Sequence, residues 1–509
     1  MKRFILFVII LIASIQTYAQ DPTDALRYSW LTTGGTARNQ AIGGAGASLG
    51  GEFSTLFINP AGLAFYKTDE FVLTPYYHFQ NNNSNYLKTN SLSSANDINI
   101  GATGFIFSIP AVRKVGVKNF TLGIGINKTA DFNSYLYYKG TNNQQSYSQK
   151  YLEELRNNNV TDPNKAATDY PFGSSLALNT FLIDTVKAAD GSFAGYKTLA
   201  PISTGLIQEQ KVTSSGGIND IVLGGALNLN DKFYIGGTVS VPVVNYKRTT
   251  VFRETDATNN TSNNFNYFEV QDNLQTIGYG VGGKFGIIYK PIHHWQLGFA
   301  AQSPTLYELT DSYSTGITTD LEGYGGPGIK HQQTSDIASP GQFKYTITTP
   351  WHLTASASYV FREVANVKKQ RAFVTADIEY VNYSGSAIRP FDKSDSASVT
   401  YFKGVNNVIK NEYGSAFNFR LGGELKFNKW MVRLGGAYYE NPYKNESANH
   451  LKVSGGLGYR DKGMFIDLTY VYSRINDVNY PYRLQDSINN SAQIRNQGGN
   501  IVATIGFKF

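Results

Sequence analysis

The chain has 509 residues, with 45 Lys and Arg against 38 Asp and Glu, and no cysteine. Disulfides and thiolate metal sites are thereby excluded, and a formal charge of +7 over this length gives no basis for nucleic-acid binding. Mean hydropathy is −0.28, and no segment past the N-terminus carries the roughly twenty apolar residues of a spanning helix, which excludes a helical membrane protein.

Lys2 and Arg3, an apolar run over 4–15 and the small residues Thr17 and Ala19 read as a secretory signal peptide, 1–19, cleaved between Ala19 and Gln20. The run is about twelve residues, too short to span a bilayer. No cysteine follows the cut, so a lipid-anchored lipoprotein is excluded. Residues 20–67 do not alternate and contain Gly34-Gly35, Gly43-Gly44, Gly46 and Gly50-Gly51. Such a segment cannot cross lipid, because its backbone polar groups would lack partners there. It suits a plug, or hatch, inside a lumen.

From residue 68 to 509 the pattern changes to a period of two. Phe417, Phe419, Leu421, Leu425 and Phe427 alternate with Asn418, Arg420, Glu424 and Lys426, so one face meets lipid and the other water. Strands are expected at 70–79, 98–109, 120–137, 216–228, 233–249, 267–289, 295–302, 343–361, 371–384, 416–427, 430–439, 451–459, 464–474 and 497–509. Six short turns (110–118, 228–232, 290–294, 362–370, 427–429, 459–463) alternate with seven long polar connections, the largest at 138–215. Short periplasmic turns and long extracellular loops are the habit of outer-membrane barrels. The fold class is therefore all-β, a transmembrane antiparallel β-barrel of about 14 strands with an N-terminal plug. The 50 Gly, 35 Tyr and 31 Phe fit interfacial aromatic girdles and bent strands.

Several motifs are weighed and set aside. Gly46-Ala47-Ser48-Leu49-Gly50 has nucleophile-elbow spacing without the flanking strand and helix. Gly278, Gly280 and Gly283 match a dinucleotide fingerprint but sit inside a strand with no helix after it. No histidine spacing suits a metal, and no cofactor is expected. Asp377, Glu379, Arg420, Glu424, Arg433 and Asp467 fall on inward positions and should form a charged inner wall. They either hold the plug or let Arg420 or Arg433 meet a carboxylate. In the largest loop, 149–156 reads as a short amphipathic helix. The stretch 171–207, with Phe172, Leu176, Leu178, Phe181, Leu182, Ile183 and Leu206, is read as a greasy lid or as loop packing.

Asn59-Pro60-Ala61, set between Gly35-Thr36-Ala37-Arg38 and the rest of 57–64, resembles the plug of the FadL/TodX outer-membrane transporter family. Segments 299–304, 351–361, 373–384, 419–425, 433–442 and 454–460 are similar to that family's strands, and the early loop with its 176–184 run is similar to a Bacteroidota-type branch. The resemblance implies a 14-stranded barrel with a hatch. It also implies uptake of long-chain fatty acids or other hydrophobic compounds, with Asn59, Pro60 and Ala61 touching a kink in the third strand where the wall opens sideways. Gly123 and Gly125 are assigned to that kink because glycine is permissive. The ending Ile501, Ala503, Ile505, Phe507, Phe509 resembles the last strand of outer-membrane barrels, which the barrel-assembly machinery reads through the terminal aromatic. The other expected partners are a hydrophobic small-molecule ligand and the surrounding lipid and lipopolysaccharide.

A sideways exit also follows from solvation. Each buried methylene favours an apolar site by roughly 0.8 kcal/mol, so a long acyl chain resists release into water by on the order of 10 kcal/mol. Capture at the loops, transfer to an apolar pocket and plug movement would make the cycle. Two other readings are a loop-based adhesin or structural barrel, and an outer-membrane lipid hydrolase.

Overall fold

The computed structural model describes residues 23–30, 34–111, 116–258, 260–361, 371–444, 449–485, 487 and 489–509. The expected signal peptide, 1–19, and the turn at 362–370 lie outside these residues. Fourteen antiparallel wall strands follow one another round a closed barrel, and the first pairs with the last through Glu70↔Lys508 and Tyr76↔Val502. Among the described residues no helix is long and apolar enough to cross a membrane.

The period-two pattern decides which way each side chain points. Phe417, Phe419, Leu421, Leu425 and Phe427 are exposed on the outside, whereas Asn418 and Arg420 are buried in the bore. The same outward band runs through Phe105, Ile124, Leu223, Val239, Phe285, Phe299, Leu434 and Leu468. At the short-turn end Trp295 meets Tyr359 at 5.2 Å and Trp430 meets Tyr459 at 5.0 Å, the aromatic belt expected where lipid meets water.

Several strands are longer than their lipid-crossing cores. Leu206–Leu229 and Phe233–Asp256 each have 24 residues, and Tyr267–Tyr289 has 23. The polar stretch 80–97, read from sequence as a loop, is mostly hairpin: Pro75–Tyr86 pairs with Thr89–Ile100 through a turn with positive φ at Leu87 and Lys88. Both faces of that hairpin carry mostly polar residues, the buried Asn82 and Ser84 on one and the exposed Asn81 and Asn83 on the other, so no apolar beat marks it in the sequence. Likewise 303–342 contains the strand Leu306–Asp320, and 385–412 contains the helix Ser396–Glu412.

At the long-loop end, Gln149–Asn157 is helical as its spacing predicts. Leu176, Leu182, Ile183 and Leu206 are buried there with Tyr147, Tyr151 and Phe252 in one apolar cluster. These side chains pack among the loops; they do not form an exposed capture surface.

Candidate functional site

Residues 34–66 fold inside the bore as short helical turns, Ala37–Ala41, Phe53–Leu56 and Pro60–Phe65. The Asn59 side chain organises the last of them. Its Oδ1 accepts from the Ala61 N–H at 3.1 Å, capping the turn, and its Nδ2 donates to the Ala47 carbonyl at 2.6 Å. The same Nδ2 reaches the wall carbonyls of Ile287 and Phe299 at 3.3 and 3.4 Å. Wall glycines make this approach possible: a Cβ on Gly286 would sit 1.8 Å from Asn59 Oδ1, and one on Gly236 would sit 2.5 Å from the Pro60 backbone.

Asn59, Pro60 and Ala61 therefore dock on the fifth to seventh wall strands, not on the third. Gly123 and Gly125 face the plug at other points, against Leu56 and Phe53 respectively. Both are fully laddered, Gly123 between Ile106 and Gly224 and Gly125 between Gly104 and Val222. Their missing side chains make room for the plug's apolar residues.

The third wall strand does break, further along. Its lower part, Val117–Asp131, ladders with Thr103–Pro110 only as far as Thr103↔Ile126. On the other side its register slips between Lys128 and Ala130, and after Phe132-Asn133 it resumes as Ser134–Asn142. That upper part stays laddered to the fourth strand but shares no ladder with Thr89–Ile100 of the second among the described residues. Side chains cross the gap instead. The Ser93 hydroxyl donates to the Tyr135 carbonyl at 3.1 Å and accepts from the Tyr137 N–H at 3.3 Å. Lys128 Nζ donates to Asn99 Oδ1 at 2.6 Å, and Asn99 Nδ2 and Tyr76 OH both donate to Asp131 Oδ2 at 2.9 Å. Asn133 completes the network by donating to Asp131 at 2.8 Å and to Asp97.

A backbone ladder can open only by unzipping several bonds in register. Side-chain bonds, each worth about 1 kcal/mol net, can exchange singly with water. Immediately behind this gap lies a cavity of about 440 Å³ lined by Tyr76, His78, Lys128, Asp131 and Phe132 of the wall and by Trp30 of the N-terminal segment. Its lining mixes charge, amide and aromatic groups, unlike the apolar pocket expected from sequence. Sequence reasoning did not single out Asp97, Asn99, Asp131 or Asn133. The one available signal was Asp131-Phe132-Asn133-Ser134, a turn-forming run inside an expected strand.

The inward charges form two networks. Arg420 lies 3.2 Å from Glu379 and 3.8 Å from Asp377. Arg433 lies 2.6 Å from Glu424 and 2.5 Å from Asp467, and Glu424 also pairs with Arg38 of the plug at 3.0 Å. A second wall contact comes from the Asp377 carboxylate, which accepts from the plug's Ala47 N–H at 3.2 Å. Both arginines are thus engaged with wall carboxylates. Ser48 is buried with Ser356 and Ser358 as its hydrogen-bond partners. Among the described residues no cluster of three His, Cys, Asp or Glu could hold a metal.

No family model matches the chain, and no curated protein matches it. Among solved structures, a Pseudomonas aeruginosa FadL homologue is 14% identical and superimposes with a TM-score of 0.51 over 93% of this chain and 99% of that one. The chain has that homologue's fold. The Pseudomonas putida toluene transporter TodX is 12% identical over 94% of this chain and 99% of its own, at a TM-score of 0.48. The FadL-like architecture accounts for the closed 14-stranded wall and the plug within it.

Proposed function

We propose that this chain is an outer-membrane transporter of the FadL/TodX type for long-chain fatty acids or other hydrophobic small molecules, released sideways through the gap in the third wall strand. The observation that carries the reading is the combination of a plugged bore, a wall break sealed only by side chains, and a cavity directly behind it. The FadL-like fold supports it. The exit is reassigned from Gly123 and Gly125 to the Lys128–Ser134 break, while Asn59, Pro60 and Ala61 anchor the plug on the fifth to seventh wall strands.

The mixed lining behind the break suits an amphiphile, an acyl chain with a polar head, better than a plain hydrocarbon. His78 and Lys128 can meet the head while Trp30 and Phe132 meet the chain. Arg420 and Arg433 pair with wall carboxylates, two of which, Asp377 and Glu424, also hold the plug, instead of binding cargo. A hydrolase is disfavoured because Ser48 faces Ser356 and Ser358 inside the bore, away from lipid. Recognition of Phe509, whose side chain is exposed, by the barrel-assembly machinery is kept as part of this proposal.

Solvent extraction of the purified protein followed by mass spectrometry, paired with uptake of labelled long-chain fatty acid in a deletion strain, tests the reading. A co-purified amphiphile and an uptake defect restored by the intact gene are expected. Absence of both would return the loop-based adhesin to first place.

A further inference from the structure

A further recess lies under the plug at the short-turn end. It has a volume of about 290 Å³ and is roofed by Leu49, Gly50 and Phe65 of the plug. Its charges are one-sided: Arg38, Lys67, Arg371, Lys426, Arg460 and Lys508 line it against a single carboxylate, Glu424. That carboxylate is already shared by Arg38 and Arg433, and Lys508 is paired with Glu70 at 2.9 Å. Lys67 and Arg371 are exposed at the rim and have no ion pair among the described residues. Further in, Arg460 lies over the Phe465 ring at 5.2 Å, and its Nε is buried with no hydrogen-bond partner among the described residues.

Like charges gathered in a low-dielectric recess repel one another and focus a positive potential on the space between them. Such an arrangement costs stability unless an anion fills it, and a buried guanidinium N–H without an acceptor carries the same cost. The rim cations give an anion a charged path in from solvent.

We propose that this chamber is an oxyanion site, for a carboxylate or phosphate group, whose occupant competes with Glu424 for Arg38 and so loosens the plug. The ion pair Arg38–Glu424 is the charged tie between plug and wall on this side, and Arg38 forms part of the chamber's lining. An anion seated between Arg38 and Arg460 weakens that tie without touching Arg433–Asp467, which stays with the wall. Occupancy from the periplasmic side would then signal to the plug. The proposal rests on the chamber and its charges and goes beyond the transport reading.

The test uses purified full-length barrel in neutral detergent, titrated calorimetrically with inorganic phosphate and separately with decanoate. Hydrogen exchange of residues 34–51 is followed in parallel. At least one anion should bind with unit stoichiometry and speed exchange of the plug amides. Affinity should fall by about tenfold in Arg460→Gln, the equivalent of one lost charged contact of roughly 1.4 kcal/mol. Lys429→Gln, which removes a rim cation paired with Asp461 outside the chamber, should leave affinity unchanged. Binding of both anions identifies a general oxyanion site, and binding of decanoate alone identifies the cargo's own head group as the occupant. No binding of either, or binding that Arg460→Gln does not alter, overturns the proposal. Uptake is not a readout here, so failure leaves the transport reading to its own test.

Discussion

Replacing Arg38 by Gln should loosen the plug while leaving the barrel closed. Arg38 grips Glu424 with two nitrogens, Nε at 3.0 Å and Nη2 at 3.4 Å, and both side chains are largely buried, 14% and 11% exposed. A hydrogen bond to a charged group is worth about 1.5–3 kcal/mol, and Gln keeps one neutral donor in reach. Glu424 is not stranded, because Arg433 remains at 2.6 Å, so the larger penalty of roughly 3–5 kcal/mol for an unpaired buried charge does not apply. The net loss is therefore about 2 kcal/mol, which corresponds to roughly a thirtyfold rise in plug opening. Hydrogen exchange resolved by peptide should show that rise in residues 34–51, with the wall strands as internal reference. Cold gel mobility should stay that of the folded barrel. Unchanged exchange in the plug, or an equal rise throughout the wall, would refute the assignment of this pair as a tie between plug and barrel.

Three further outcomes follow from particular contacts. Gly286→Ala should displace Asn59 and expose the plug to limited proteolysis, at a cost of about 1–3 kcal/mol for overpacking, whereas Gly237→Ala meets its nearest neighbour at 3.6 Å and should be silent. Leu434→Arg puts a charge on a side chain that is 70% exposed on the outward apolar face, so heat resistance of the barrel on a gel should drop by the equivalent of about 2–4 kcal/mol. Glu254 lies beyond the lipid band, buried under the loops with Ser146, Tyr147 and Gln208 donating to it, and burial pushes its carboxyl up from 4.5 to about 7. Because the folded value is the raised one, its contribution to loop stability is complete below pH of about 4.5 and is lost as pH rises through about 7. Proteolysis of the loop cluster should accelerate as pH rises from about 4.5 to about 7 and level off above that in the parent, and stay flat throughout in Glu254→Gln.

The wall was readable in the sequence because lipid and water impose opposite demands on adjacent residues. That contrast put Arg420, Glu424 and Arg433 inside and Phe419, Leu421 and Leu434 outside, and it located all fourteen strands. Where the contrast fades, so does the signal. Residues 80–97 are mostly polar on both the buried and the exposed face, so an extended hairpin there reads as a loop. The break at Phe132-Asn133 was hidden because its neighbours continue a strand-like run on either side. The docking of Asn59 on Gly286 joins residues 227 positions apart in chain order from Asn59 to the Ile287 carbonyl's predecessor, and neither partner's local sequence encodes the other. The charged inner wall was legible as a facing, but its link to Arg38 depends on how the plug is seated.

The absence of native cysteine makes the lateral gap directly testable. In a double variant, Asn99→Cys with Asp131→Cys, the two thiols replace side chains that meet across the gap at 2.9 Å, and a short bifunctional thiol reagent can tie them together. The account predicts that cross-linked cells lose uptake of labelled long-chain fatty acid, that a cleavable linker restores it on reduction, and that either single variant treated alike transports normally. Full uptake with the gap covalently closed would contradict the sideways route.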